Sequence, residues 1–211
     1  MMKLTEIRQG RTENRLLLVF DNGRKLPVWK QTAAEYGLFP DKEVSEEEFS
    51  LLEQTAQKQR IKERAVRIVS ASNVSGKGLA RKLIQKGETP EDSEQAVQWL
   101  EDLALLDDRR TGEAIVRSAL NKGYGKRRIC QILREKEIPQ EYWEELLSEL
   151  PPMDETIDKL LRQRLKYAEP DKKTQQRAVD ALLRYGHSWT DIRAGLERFR
   201  VSIDLEDEQC L

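Results

Sequence analysis

The chain has 211 residues and a net charge of −1, with 36% charged and 38% apolar residues. That charged share is well above the usual ~25%, which leaves too little apolar material for one thick core and favours thin layers of exposed helices that each bury one stripe. The length allows one or two domains or a short repeat array, and the near-zero net charge excludes any partner inferred from bulk charge.

Residues 3–29 read as strands. KLTEIRQ is followed by a polar turn and NRLLLVF; Asp21-Asn22-Gly23 is a reversal signal, and RKLPVW returns. Pro27 removes a ladder donor, so that strand is expected at a sheet edge. The β-start should end before about Pro40 and lean on a helix, because a small meander is not stable alone. Gln31–Gly37 is a short helix. Ser45 with Glu48 three residues on is a capping box that opens a long helix at Glu46, with Phe49, Leu52 and Ala56 on its apolar face. That helix either runs on past Arg60 or breaks near Gln59.

From there the chain repeats itself. Leu79 and Leu83 recur as Ile129 and Leu133, fifty positions later, and as Ile192 and Leu196, sixty-three positions after that. Val66, Val116 and Val179 form a first-helix column, as do Val69, Ala119 and Leu182. The turns align at Ser75, Gly125 and Ser188. Ala96, Val97 and Leu100 match Leu146, Leu147 and Leu150. The expected fold is mainly α: tandem three-helix repeats in an elongated, curved array behind a small N-terminal β-hairpin or meander. The expected bounds are 1–44 for the β region, 45–111 for a linking helix and the first repeat, 112–155 for the second and 156–211 for the third.

Charge follows the same period. Residues 64–87 hold six basic and no acidic side chains, and 87–108 hold eight acidic and no basic ones. Residues 114–134 again hold six basic and none acidic, and 135–155 hold eight acidic against Lys136 alone. Two readings stay open. Acidic third helices can neutralise basic helices of a neighbouring unit, each exposed pair being worth only ~0–1 kcal/mol. Alternatively, the basic helices line up as a ridge for a polyanion or an acidic protein groove. The ridge candidates are Lys77, Arg81, Lys82, Arg117, Lys122, Tyr124, Lys126, Arg127, Arg128 and Arg134. The middle turn, Gly123-Tyr124-Gly125, is expected to present Tyr124 at an exposed corner, because glycine admits backbone angles that larger residues resist. Arg127 and Arg128 should not both be buried, since Ile129 and Leu133 face inward.

No catalytic set is recognisable. Ser75-Gly76-Lys77-Gly78 lacks the spacing of a phosphate loop and follows no strand. Asp107-Asp108 reads as an acidic helix start. His187 has no partner in sequence and reads as a satisfied or exposed turn histidine. Cys130, Cys210 and His187 make no zinc set, so no metal and no cofactor are expected. Trp99 and Trp143 sit beside core columns and read as packing; Trp189 is the tryptophan open to a contact role. Nothing in the early chain resembles an export signal or membrane segment, and a cytoplasmic setting is expected.

The run LEDLALLDD, then EAIVRSALNKGYGKRRICQILREKEI, closely resembles the RecX family, bacterial modulators of the RecA recombinase; LARKLIQKG and EVSEEE are similar to its longer members. The resemblance covers nearly the whole chain and is strongest over 105–138. Thr111-Gly112 stands where the family commonly has Phe-Ala, and Glu137 where Gly would close a helix. The resemblance implies a non-enzymatic, monomeric protein. It would bind the RecA filament on DNA and alter filament growth, ATPase and strand exchange in recombination, repair and the SOS response. Single- and double-stranded DNA would be bound weakly or through RecA. Two other readings stand beside it: a helix-turn-helix DNA-binding regulator, and a helical scaffold.

Overall fold

The computed structural model describes residues 1–10, 12–165 and 171–199. They divide into two units: Met1–Ser70 with Ala80–Asp102, and Ala71–Leu79 with the described residues from Leu103 onward.

Three antiparallel strands open the first unit: β1 (Met2–Gln9), β2 (Arg15–Phe20) and β3 (Lys25–Trp29). Gly23 takes φ +82° in the reversal, and the Asn22 side chain accepts from Arg24 N–H at 3.0 Å. β3 lies at the sheet edge, as Pro27 requires. The sheet does not end before Pro40. After the short helix α1 (Lys30–Glu35), a two-residue strand β4 (Glu43–Val44) pairs with Met2 and Lys3 on the other edge. Two residues carry no alternation pattern, so periodicity does not reveal them.

The helix α2 (Glu46–Ala71) starts on the capping box. Glu48 N–H donates to Ser45 Oγ at 3.0 Å, and Ser45 N–H donates to Glu48 Oε2 at 2.9 Å. It runs unbroken for 26 residues and buries two different faces. Phe49 and Leu52 pack with Leu4, Leu18, Phe20 and Val28 of the sheet, Phe49 edge-on to Phe20 at 5.1 Å. Ile61 and Ala65 are the buried residues of the second half. Leu52 and Ile61 are nine residues apart, about 180° around the axis. Sheet and helical layer thus use opposite sides of one helix. For the same reason Val66 is exposed rather than buried, and Ala65, which shares its repeat register with Ile115 and Ala178, is buried instead.

Next come α3 (Gly76–Ile84) and α4 (Pro90–Asp102). Between them Gly87 takes φ +90° and Glu88 is buried. A buried carboxylate needs partners. Arg64 supplies one and also donates to the Lys86 carbonyl at 3.3 Å, and Arg60 stands at 3.7 Å.

In the second unit, α5 (Asp108–Asn121), α6 (Lys126–Glu135), a 3-10 turn (Gln140–Tyr142) and α7 (Trp143–Ser148) enclose Ile115, Val116, Ala119, Ile129, Leu133, Ile138 and Leu146. Asp107 caps α5, its side chain accepting from Arg110 N–H at 3.0 Å. Gly112 is buried on α5, where a Cβ would come within 2.6 Å of Leu146 Cδ1, so the low helix propensity of glycine is offset by close approach of α7. Then α8 (Asp154–Arg164), α9 (Lys172–Arg184) and α10 (Trp189–Arg198) enclose Ile157, Leu161, Ala178, Val179, Leu182, Ile192 and Leu196.

The second-helix column expected from the repeat holds throughout. Leu79, Leu83, Ile129, Leu133, Ile192 and Leu196 are all buried, and Ser75, Gly125 and Ser188 each stand just before α3, α6 and α10. A third helix for the last copy, like Cys210, lies outside the described residues. Among the described residues no helix is long and apolar enough to cross a membrane.

The capping box gives a direct test of how the long helix is held. Ser45→Ala should cost about 1 kcal/mol of stability, read as a lowered urea midpoint with an unchanged slope.

Candidate interaction surface

The turn between α5 and α6 is docked, backbone to backbone, on the turn between α9 and α10. Gly125 N–H donates to the Tyr185 carbonyl at 2.8 Å, and Arg127 N–H donates to the Gly186 carbonyl at 3.1 Å. An added Cβ on Gly125 would fall 2.5 Å from Gly186 O, and one on Gly186 would collide with the backbone N of Arg128. Gly186 has φ +85°, so there both angle and space demand glycine. Gly125 is extended, with φ −83° and ψ 171°, so closeness alone demands it.

His187 completes this clasp. It is buried, and its Nε2 donates to the Gly123 carbonyl at 3.0 Å, which leaves Nδ1 as a buried acceptor without a hydrogen-bond partner among the described residues. Burial lowers its pKa below the ordinary 6.5, against the Gly123 bond and the Asp191 carboxylate, which raise it. Tyr124, expected at an exposed corner, is half-buried instead. It meets Tyr185 edge-on at 5.4 Å, with the Arg128 guanidinium 6.0 Å from its ring. The docked turn fills the space in which a free corner would have stood.

The cations divide accordingly. Arg117 and Lys122 at the end of α5, and Lys126 and Arg127 at the start of α6, are exposed and form no ion pair with a described residue. Arg134 is exposed and lies 5.7 Å over the Trp143 ring. Arg128 is half-buried, with Glu135 at 3.6 Å. On α3, Lys77 is exposed in the second unit, whereas Arg81 and Lys82 belong to the first and are both engaged by other groups of the chain. The candidate ridge therefore concentrates at the α5–α6 turn.

Neutralisation occurs inside two of the three-helix groups. Arg109 of α5 forks onto Glu145 of α7 at 2.6 and 3.2 Å, and Arg198 of α10 reaches Asp158 of α8 at 2.7 Å. Ser75-Gly76-Lys77-Gly78 opens α3, and the Ser75 hydroxyl and the Gly76 and Gly78 N–H groups are spent inside the chain. Ser75 Oγ accepts from Gly78 N–H and donates to the Lys136 carbonyl at 2.8 Å, while Gly76 N–H donates to Asp108 Oδ1 at 2.8 Å. Half-burial pushes the Asp108 carboxyl up despite that bond.

No motif singles out Gly186, yet one signal marks it in the sequence: Gly123 and Gly186 keep the sixty-three-residue offset of the second-helix columns, and both follow a first helix.

Residues 107–147, which hold α5, α6 and most of α7, match the family model for the RecX second three-helix domain. The regulatory protein RecX of Salmonella arizonae is 32% identical over 149 residues, covering 64% of this chain and 88% of that protein. The chain belongs to the RecX family. The Streptococcus sanguinis RecX is 27% identical over 215 residues, covering 99% of this chain and 81% of its own length. The matches to the RecX proteins of Cronobacter sakazakii and Salmonella heidelberg span only 54% and 60% of those proteins. A crystal structure of a regulatory protein RecX superposes with TM-score 0.70 at 20% identity, over 93% of this chain and all of that one. RecX from Lactobacillus salivarius gives 0.58 at 21% identity, over 68% of this chain and 96% of that one. At those identities the two structures establish the fold.

Two measurements check the clasp. Gly186→Ala should lower the melting temperature clearly, because the left-handed angle alone costs an L-residue roughly 1–2 kcal/mol and the neighbouring backbone cannot move aside. Because the folded-state pKa of His187 is depressed, its neutral form contributes stability that is complete above 6.5 and lost as pH falls from there through the folded value. Acidification below 6.5 should therefore lower the melting temperature of the parent protein more steeply than that of His187→Gln.

Proposed function

We propose that this protein modulates a RecA-type recombinase without catalysing a reaction of its own. In this reading it is a cytoplasmic monomer that binds the recombinase filament on DNA and regulates its growth, ATPase and strand exchange. One observation carries the reading. Four exposed cations, Arg117, Lys122, Lys126 and Arg127, stand without carboxylate partners among the described residues in a chain of net charge −1. They lie in the part of the chain that matches the RecX domain model. The curated relatives carry the name of regulatory proteins, which supports a regulator over an enzyme. A free helix-turn-helix reader is less favoured. Such a reader sets the start of its second helix on base edges, whereas the start of α6 is docked on Gly186.

The test is the pair Lys126→Glu and Arg127→Glu. Arg128 is left intact because it is half-buried against Tyr124. Surface changes usually move stability by about 0.5 kcal/mol or less, and carboxylates suit a helix start, so helicity and melting temperature should hold. Filament binding, read by co-sedimentation, should weaken roughly tenfold or more, the scale of ~1.4 kcal/mol. Unchanged binding and unchanged filament ATPase with the fold intact would remove this surface from the mechanism.

A further inference from the structure

The sheet of the first unit leaves one edge half covered. β4 pairs with β1 only at Met2 and Lys3, and the opposite edge of the sheet carries Pro27. Backbone hydrogen bonds fix which way each residue of β1 points. Asp21 N–H donates to the Lys3 carbonyl at 2.9 Å, so Lys3 faces β2. Leu4 N–H donates to the Lys42 carbonyl at 2.9 Å, and Asp41 N–H donates to the Leu4 carbonyl at 2.8 Å, so Leu4 faces the other way. In a regular strand alternate residues face alike, and Gly10 would point with Leu4. Instead its N–H donates to the Arg15 carbonyl of β2 at 2.8 Å. The β-bulge between Leu4 and Glu6 is the cause, since one inserted residue reverses the alternation. Beyond it Ile7 and Gln9 aim their N–H and C=O groups at the side where no described strand pairs. Side chains leave that edge clear. Gln9 folds its amide back onto the carbonyls of Thr12, Glu13 and Arg15, and Ile7 packs partly into the sheet core. Glu6 and Arg8 stand exposed on the outer face, 2.6 Å from each other. Their neighbours on β2, Val19 and Leu17, carry no charge. Lys3 is held by Asp41 at 2.8 Å, beside Glu43, where β4 already covers the strand.

We propose that this open edge pairs with the same edge of a second copy of the chain, antiparallel and centred on Ile7. The charges select that occupant. A strand laid there must bring a cation opposite Glu6 and an anion opposite Arg8. β1 run backwards, Arg8-Ile7-Glu6, does so. Each Glu6 meets Arg8 of the other copy, and the two Ile7 residues exchange both their N–H and C=O groups. A slip of two residues sets Glu6 against Glu6 or Arg8 against Arg8, and a slip of one sets the charges against Ile7 on the wrong face. Asp41 and Lys42 already hold Leu4, which confines the new ladder to residues 5–9. So short a ladder buries far less than the ~1,200–2,000 Å² of a stable interface, and the pair is therefore weak and reversible. The proposed function needs one copy on the filament; the pair is a state of the free protein.

The experiment is analytical ultracentrifugation of the full chain. Wild-type protein should sediment as a monomer when dilute and shift reversibly towards a dimer as the concentration approaches about 1 mM. Arg8→Glu leaves two carboxylates on each edge, and Glu6→Arg leaves two cations. Each variant alone should associate about tenfold more weakly or worse. Mixing the two should restore the wild-type affinity, because each edge then meets its opposite. Ile7→Pro gives a second reading of the same edge. The N–H it removes faces the open side, so no hydrogen bond inside the chain is lost, while the pair loses its central bonds and should not form. Circular dichroism checks that each variant is folded. Wild-type protein that stays monomeric at about 1 mM overturns the proposal and leaves the edge to a strand of another protein. A dimer that the charge changes leave untouched overturns it as well, since the contact then lies elsewhere. So does a mixture of the two charge variants that fails to pair, because the register centred on Ile7 requires it.

Discussion

The second unit depends on a contact made almost without side chains. Two N–H groups, of Gly125 and Arg127, meet the carbonyls of Tyr185 and Gly186 at a separation that a single methyl group on either glycine would forbid. Backbone groups buried away from water must be paired, so once the turns meet, each satisfies the other. His187 closes the remaining side by reaching the Gly123 carbonyl from a position with almost no solvent exposure. The consequence for function is geometric. The cations that open α6 are held on a fixed turn, and fixed cations lose less freedom when a partner arrives.

The three second helices begin alike in sequence alignment and differently in physics. Ser188 caps α10 through its own hydroxyl, accepting from Asp191 N–H at 3.1 Å. Ser75 does the same for α3 and also donates to the carbonyl of Lys136. Gly125 has no hydroxyl, so α6 has no side-chain cap, and the carbonyl of Gly186 takes the Arg127 N–H instead. One repeat position thus serves as a cap, as a cap with a tertiary bond, and as a close-approach point. A repeat that preserves apolar columns can still vary its joints, because each joint satisfies its polar groups with its own set of hydrogen bonds.

Ion pairs do not decide this architecture. The clear forks, Arg109 to Glu145 and Arg198 to Asp158, stay inside their own three-helix groups, and exposed pairs contribute little net stability. The apolar columns carry the packing, and the pairs neutralise charges that would otherwise repel. Among the cations left without a described carboxylate partner are four around one turn, Arg117, Lys122, Lys126 and Arg127, which composition alone hides behind a net charge of −1.

Local signals made much of this legible in sequence. The capping box at Ser45, the reversal at Asn22-Gly23, the edge strand with Pro27 and the second-helix columns each rest on neighbours within a few residues, where propensity and periodicity act directly. The first-helix column slipped by one residue at Val66, because α2 turns its other face to a second layer, and an amphipathic pattern that changes side midway reads as weak. The strand Glu43–Val44 exists only because β1 offers it an edge. Tyr124 and His187 could not be placed from sequence. Their burial follows from two glycine turns sixty-three residues apart coming into contact, and closeness between distant backbones leaves no trace in local pattern beyond the glycines themselves. The sequence by itself determined the helices, their apolar faces and the stock of cations. The tertiary structure decided which cations stay free, because only packing brings each charge to its carboxylate or holds it away.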